Sequence, residues 1–348
     1  MTIQENVPLA PLTTLQVGGP ARYFVEAASE DDVRDTVAFA HEKDVPLFVL
    51  GGGSNLVVAD SGWPGLVLKV AIRGVTRQEE SGAMTFDAGA GKDWDEFVAH
   101  AVEENCAGVE CLSGIPGSVG GTPVQNVGAY GQEVSETIES VRALDLKENR
   151  IVVLSEEACG FRYRTSIFNT SDRGRYIILR VSYRLTPGGV PSLKYTDLQK
   201  HFAGWSGPPS LGEVREAVRT IRQSKGMLIV SADPDCRSAG SFFKNPVLTE
   251  AQFSALTRRA ESKSLKIPSY PALDAQHKVS AAWLVEHSGF SKGFSLGAAA
   301  ISQKHALALI NTGNASAADI VRLKEKIQLS VEAAWGIALE PEPVFVGF

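Results

Sequence analysis

The stretch Leu112–Gly131, LSGIPGSVGGTPVQNVGAYG, decides how the chain is read. Six of its twenty residues are glycine, two are proline and none carries a charge. A run this apolar belongs inside a protein, yet glycine at this density makes a poor helix or strand interior. A buried loop leaves backbone N–H and C=O groups in need of partners. A polar ligand supplies them, and glycine lets the backbone come close to it. A tight structural turn is the alternative. A second loop of the same kind, Leu50-Gly51-Gly52-Gly53-Ser54-Asn55, favours the ligand. Two uncharged glycine-rich loops suggest two walls of one cradle, suited to phosphates held by backbone N–H groups.

The whole chain narrows the partner classes. Its 348 residues, 44% of them hydrophobic, suffice for two or three domains with real cores. The net charge is -6 with no basic block, which argues against nucleic acid. An anionic ligand therefore needs local Arg and Lys. The four cysteines form no CxxC pair and no Cys/His group with zinc spacing, so free thiols in a reduced cytosol and no metal are expected. The start MTIQENVPLAPL has no secretory pattern, and no run reaches the roughly 18 apolar residues of a membrane span. A cytoplasmic protein without a membrane partner is expected.

In chain order, Arg22–Ala27 reads as a strand, and Ser29 caps a helix whose first turn is acidic. Val45–Leu50 reads as a buried strand that delivers the first glycine loop. A β-prone run, Leu56–Val58, and then a turn follow that loop, where a dinucleotide-binding GxGxxG would open a helix. A Rossmann turn is thereby excluded. Leu66–Val70, Thr85–Ala88, Val141–Leu146, Ile151–Leu154 and Tyr176–Arg184 read as strands, and Asp93–Asn105 as a helix. The Pro-, Gly- and Ser-rich stretch Thr186–Pro209 reads as a boundary, and Glu213–Gln223 as a helix. A loop-like stretch, Ser231–Ser238, comes next. The last hundred residues read as mostly helical, with caps at Thr249 and Ser316 and a closing strand at Leu339–Phe348.

Four side chains could do chemistry at such a cradle. Arg164, beside aromatics in Phe161-Arg162-Tyr163-Arg164, can grip a carboxylate with two hydrogen bonds, or can be a surface arginine. Ser241 sits between a glycine and two phenylalanines, where a hydroxyl needs a partner or serves as a cap. Glu342 follows a proline in an apolar tail and can equally be a surface acid. Lys225 can hold a phosphate or simply end its helix favourably.

Together, Gly51–Asn55, Ile115–Gly131, Tyr163–Phe168, Gly240–Pro246 and Leu339–Glu342 resemble the UDP-N-acetylenolpyruvoylglucosamine reductase (MurB) family, of the type with a tyrosine loop. The resemblance runs from about Leu12 to Phe348, and IPGSVGGTPVQNVGAYG and GSFFKNP are specific in order and spacing. It implies an α+β fold: a two-part FAD-binding domain of the PCMH/vanillyl-alcohol oxidase type plus a C-terminal α/β substrate-binding domain. The implied parts are 1–70 and 71–222, with the PCMH-type region about 15–188, and 223–348, whose strand 339–348 returns to the active site. It implies noncovalent FAD held by Gly51, Gly52, Gly53, Ser54 and Asn55, by Ile115, Pro116, Gly117, Ser118, Gly120, Gly121, Gln125, Asn126, Gly128, Ala129 and Tyr130, and by Arg222. NADPH would reduce the flavin. UDP-N-acetylglucosamine enolpyruvate would then enter the same pocket and become UDP-N-acetylmuramate, a peptidoglycan precursor. Arg164, Ser241 and Glu342 match the catalytic positions; Tyr163, Tyr195, Lys225, Asn245, Lys292 and His305 match substrate-binding ones. A monomer is expected.

Two departures stand out. The family's LEPEVR is Leu339-Glu340-Pro341-Glu342-Pro343-Val344 here, so an arginine is replaced by Val344. The segment between Lys225 and Ser241 is also longer than in some members. Three other readings stay open on sequence: an FAD oxidase on the same scaffold, a non-catalytic UDP-sugar-binding protein, and a plain α/β domain whose glycine loops are only turns.

Overall fold

The computed structural model describes residues 1–80, 82–230, 233–272 and 275–348. Ser231 and Ala232, which open the expected loop-like stretch, lie outside the described residues. The chain forms two compact units. The first comprises Met1–Val7, Ala21–Gly53 and Pro64–Ile229; the second comprises Pro8–Pro20, Ser54–Trp63 and Val230–Phe348. The second unit thus takes in two early segments that the sequence reading places with the first part. The stretch Thr186–Pro209 is no boundary, because the first unit continues through it to Ile229 and carries a helix there, Thr196–Phe202.

In the first unit, one sheet runs in the order Ile3–Pro8, Pro20–Ala27, Trp63–Val70, Leu47–Leu50. Its last pair is parallel, Leu47 opposite Leu66 through Leu50 opposite Lys69. The helix Glu30–Glu42 begins at Ser29, whose hydroxyl accepts the Asp32 N–H at 3.0 Å, and it buries Val33, Val37 and Ala40. Apolar residues at this spacing share one helix face, which the core covers. The second sheet is antiparallel, in the order Arg150–Ser155, Ile138–Asp145, Tyr176–Pro187, Ala83–Gly89, Val75–Glu80. Helix Trp94–Glu103, capped by Asp93, packs Trp94 and Phe97 beside Tyr183, with the Phe97 and Tyr183 rings 4.8 Å apart. The Tyr183 hydroxyl meets Thr122 Oγ1 at 2.7 Å, and Trp94 Nε1–H donates to Leu112 O at 3.0 Å. The start and the middle of the glycine-rich stretch are therefore hung from this core. Burial pushes the Cys159 thiol up to about 12, and Cys111 also upward, so both act as apolar packing groups.

The second unit is less helical than its sequence suggests. Helices Glu250–Glu261, Ala281–Glu286 and Ala317–Trp335 form as the caps indicate. Between the last two lie the short strands Ser295–Leu296, Ala299–Ile301 and Ala308–Asn311, which with the earlier Ser238–Ser241 form a sheet ordered Ser238–Ser241, Ala308–Asn311, Ala299–Ile301, Ser295–Leu296. A further sheet joins Val247–Leu248, His277–Val279 and Ser269–Pro271. The expected strand 339–348 shrinks to Val344–Val346, since Pro341 and Pro343 lack the N–H that a ladder requires. Val344–Val346 pairs in parallel with Leu56–Val58, which explains why residues 54–63 belong to this unit. Val344, in place of arginine, is thus spent on strand pairing. The core gathers Leu15, Val57, Phe242, Phe243, Trp283, Ile320, Leu323 and Ile327. No helix among the described residues is long and apolar enough to cross a membrane.

Helix Ala317–Trp335 has two caps. Ser316 closes a capping box with Asp319, and the Asp60 carboxylate accepts the N–H groups of Ala317 at 2.7 Å and Ala318 at 3.0 Å. An anion on the first free N–H groups of a long helix is favourable twice, by hydrogen bonding and by the helix dipole. Asp60→Ala is expected to cost about 1–2 kcal/mol, read as a lower urea midpoint with an unchanged m value.

Candidate active site

The two glycine loops meet in the first unit. A Cβ built on Gly52 would lie 2.6 Å from Gly117 C and 2.7 Å from Ser118 N, and one on Gly51 would lie 3.0 Å from Ser118 Oγ. Only glycine permits this approach at position 52. The long loop is fixed from behind. Val119 N–H donates to Lys92 O and Gly120 N–H to Ala90 O, both at 2.9 Å, while Gly117 O accepts from Trp94 N–H at 3.1 Å. Its regular structure is limited to the 3-10 turn Val119–Gly121 and the pair Gly128–Ala129, and Gly131 alone of the stretch is exposed. Ser118 Oγ is buried with no hydrogen-bond partner among the described residues. Beside it opens a cavity of about 390 Å³ lined in part by Gly51, Gly52, Gly117 and Ser118. Lys69, Arg73 and Lys92 also line it, which are the local cations an anionic ligand needs. Lys69 and Lys92 are paired there with Glu26 and Glu96.

Charged groups brace the loop from outside its own sequence. Asp95 accepts the Gly114 N–H at 2.6 Å, Arg215 Nη1 at 2.5 Å, and a bond from Arg219. Desolvation pushes the Asp95 carboxyl up, but the Arg215 and Gly114 hydrogen bonds and the two arginine charges outweigh it and hold its pKa below the ordinary value. Arg222 is buried and donates to Gly114 O at 3.0 Å and Met227 O at 2.6 Å; burial draws its pKa down. Glu110, fully buried, accepts from Gly108 N–H, Gln132 Nε2 and Ser192 N–H at 2.8–2.9 Å. Asn126, in the left-handed region at φ 44°, commits its side chain to Glu133, Arg162 O and the Ser135 N–H. Arg222 and Asn126 thus shape the cradle through the backbone of the loop. Ile115, Pro116, Gln125 and Ala129 are half-buried along it.

Arg164 is a turn residue, not a strand residue. Arg162 and Thr165 exchange both backbone hydrogen bonds at 3.0 Å, and Arg164 between them has φ 56°. Its Nη2 donates to Gly128 O at 2.8 Å, and its guanidinium lies 5.5 Å from the Tyr163 ring centroid. The fork is therefore aimed at the glycine loop. Nearby in sequence space only through folding, Tyr130, Tyr195 and Lys225 form a cluster. The two rings meet edge to face at 5.2 Å, and the Lys225 ammonium sits 5.8 and 5.9 Å from them while donating to Asp197 Oδ2 at 2.6 Å. Burial pulls Lys225 down, but the Asp197 bond and the Tyr130 and Asp197 charges prevail, so its pKa lies above the ordinary value. Burial raises that of Tyr130.

The second unit brings Ser241 and Glu342 together. The strand Ser238–Ser241 carries a register shift, with Gly240 at φ 74°, so that Ser241 ends the strand beside Phe242. Glu342 N–H donates to Phe242 O at 2.9 Å, Lys244 N–H to Glu340 O at 3.0 Å, and Phe243 bridges Pro341. The tail LEPE thus lies along GSFFKNP. Asn55 fixes it from the other side: its Nδ2 donates to Glu342 O at 3.3 Å and its O accepts Val344 N–H at 2.9 Å. Thr14 ties Ser54 O and Ser238 O together, at 3.4 and 2.6 Å. Asn245 Oδ1 accepts the Ala281 N–H at 2.9 Å, which commits that oxygen to a helix start. His305 Nδ1 accepts the Leu307 N–H at 3.0 Å, so the neutral ring carries its proton on Nε2. Lys292 is exposed. Arg164 belongs to the first unit, Ser241 and Glu342 to the second.

The family model described as "FAD binding domain" matches residues 21–155, and the one described as "UDP-N-acetylenolpyruvoylglucosamine reductase, C-terminal domain" matches residues 233–346. The UDP-N-acetylenolpyruvoylglucosamine reductase of Thermobifida fusca is 46% identical over 99% of this chain and 98% of its own length. The chain belongs to the UDP-N-acetylenolpyruvoylglucosamine reductase family. The reductase of Streptomyces coelicolor is 42% identical over 99% of this chain and 91% of its own. The crystal structure of the reductase (MurB) from Thermus caldophilus superposes with a TM-score of 0.67 at 25% identity, covering 99% of this chain and 100% of that one. The α+β fold with an FAD-binding part and a reductase C-terminal domain is thereby established.

The residues present fit the flavin that membership in the reductase family implies. The Gly52–Gly117 approach leaves no side chain in the way of a diphosphate, and the Ser118 hydroxyl and the three cations are the donors such a group takes. The residues that sequence reasoning missed are braces: Asp95, Glu110 and Asp197. Asp93-Trp94-Asp95 reads as a helix start, so the cap signal hid the salt bridge two positions on.

Gly52→Ala is expected to leave the core folded but to yield protein with little flavin, read as the 450 to 280 nm absorbance ratio. Because the folded pKa of Asp95 is depressed, its contribution to stability is full above the unfolded pKa, about 3.9, and fades as pH falls through the folded value. Asp95→Asn should flatten the slope of stability against pH in that acid range and lower stability at neutral pH.

Proposed function

We propose that this chain reduces UDP-N-acetylglucosamine enolpyruvate to UDP-N-acetylmuramate with electrons from NADPH, in cytoplasmic peptidoglycan precursor synthesis, using noncovalently bound FAD. The observation that carries the reading is the interlock of LEPE along GSFFKNP, in which Glu342 N–H donates to the carbonyl of Phe242, the residue after Ser241, in a member of this reductase family. FAD held by the two glycine loops would supply the hydride chemistry that links NADPH to C3 of the enolpyruvyl group. NADPH and the enolpyruvyl substrate use one pocket in turn, and the protein works as a monomer. The three-part division 1–70, 71–222 and 223–348 assigns flavin to the first two parts and substrate to the third.

The chain's own residues supply the rest. Addition at C3 builds negative charge at C2, which spreads into the carboxylate. The Arg164 fork suits that carboxylate, and its turn geometry and the Gly128 O contact hold it ready. Glu342, protonated, shares the load through a hydrogen bond. Ser241 delivers the proton to C2: a hydroxyl is a weak acid, but a developing carbanion is a strong base. Lys225 takes the diphosphate, Tyr195 covers the nucleotide, and Tyr163, Asn245, Lys292 and His305 add substrate contacts. Gly51–Asn55, Ile115–Tyr130 and Arg222 hold the cofactor.

The deciding experiment is anaerobic. The purified protein should show a flavin spectrum that bleaches with NADPH and returns when the enolpyruvyl substrate is added; failure to return with that substrate refutes the assigned reaction. Ser241→Ala should bleach at close to the parent rate but reoxidise about 10²–10⁴-fold more slowly. Equal loss in both stages would remove Ser241 from its role. Arg164→Lys should show the same division, since lysine cannot reproduce the fork.

A further inference from the structure

The Lys225 ammonium is engaged before any ligand arrives. Its backbone is fixed at the end of helix Leu211–Ser224, where Lys225 N–H donates to Ile221 O and Arg222 O. Its head lies to one side of the Tyr130 and Tyr195 rings, 5.8 and 5.9 Å from their centres, and is hydrogen-bonded to Asp197. Asp197 stands in the first turn of the short helix Thr196–Phe202, two residues after Tyr195. That helix is anchored by its buried Leu198 and Phe202, so exchange of the pair needs only rotation of the partly exposed Asp197 side chain. Both charged side chains are about a third exposed, 34% for Lys225 and 36% for Asp197, so their bond is reachable from solvent and weak enough to exchange.

We infer that Asp197 is a resident counter-ion that occupies Lys225 in the free enzyme and is displaced by the diphosphate of the incoming nucleotide. This rests on the reading that Lys225 holds that diphosphate. A carboxylate and a diphosphate oxygen ask the same thing of an ammonium, and the two tyrosine rings restrict the directions from which either can reach it. A diphosphate that comes to Lys225 meets the Asp197 charge and repels it. Because Asp197 and Tyr195 are two residues apart, the departure of one frees the backbone that carries the other. Anions that cannot outcompete the carboxylate are turned away, so Asp197 sets a threshold for ligand charge. It is a positioning residue: it touches Lys225 and not the reacting atoms.

The test uses the FAD-loaded enzyme and UDP-N-acetylglucosamine, which carries the diphosphate but no enolpyruvyl group and so binds without reacting. Dissociation constants are measured by calorimetry for the parent, Asp197→Asn, Lys225→Met and the double variant. Removing the competitor should tighten binding about two- to five-fold, the scale of a part-exposed ion pair. In the Lys225→Met background the same change should have no effect. Asp197→Glu, which restores the charge, should return affinity toward the parent. Unchanged or weaker binding by Asp197→Asn would overturn the inference and make Asp197 an organiser of Lys225 instead. Equal tightening with and without Lys225 would overturn it too, by showing general charge repulsion. Lys225→Met that binds as tightly as the parent would overturn the diphosphate reading itself, and the inference with it. Should Asp197→Asn fail to retain flavin, Asp197→Ser carries the same comparison.

Discussion

The contact between two backbones at Gly52 and Gly117 is the constraint from which the first unit takes its form. Backbones this close exclude any side chain at position 52, so the two loops present peptide groups rather than side chains to whatever lies against them. Peptide groups impose directions but little bulk, which is what recognition of a diphosphate requires. The loop that makes the contact cannot hold itself in place, having neither helix nor ladder of any length. Its position is therefore delegated to the Trp94–Tyr183 core beneath it and to charged residues at its edges.

Those edges explain an oddity of composition. The stretch Leu112–Gly131 carries no charge, yet Asp95, Arg222 and Arg164 all bond to its backbone. Charged side chains placed in the loop would compete for the space the ligand takes. Placed outside, they bond to the loop's peptide groups at Gly114 and Gly128 and brace it. The second unit holds its tail by the same means: Asn55 Nδ2 donates to Glu342 O, and Glu342 N–H donates to Phe242 O.

Local signals were legible in the sequence and distant partnerships were not. Ser29, Asp93, Thr249 and Ser316 were readable as helix starts because a cap acts within three residues. The glycine loops were readable because composition alone separates them from helix and strand. The strands Ile3–Pro8 and Val75–Glu80 left no trace, since they are mostly exposed and polar and show no alternation. The strands between residues 295 and 311 are too short for a period to establish itself, and the helical reading passed over the glycines Gly293 and Gly297 that punctuate the region. Thr186–Pro209 looked like a linker because its Pro and Gly content hides a seven-residue helix held by two buried apolar side chains. At the site, residue types were legible from a family resemblance. That Lys225 would face Asp197, or Asp95 two arginines, depends on packing that no window of sequence contains.

The parallel pairing of Leu56–Val58 with Val344–Val346 also sets an order of events at the ribosome. Residues 56–58 emerge early, with their partner still almost the whole chain away. The first unit has all its segments once Ile229 is out, while residues 54–63 wait as an extruded loop with an apolar strand unpaired. During that interval Val57 and Val58, buried in the finished protein, are open to wrong partners. The pair can close only after residues 230–348 have been made, so the length of that interval follows from the separation in sequence of the two strands.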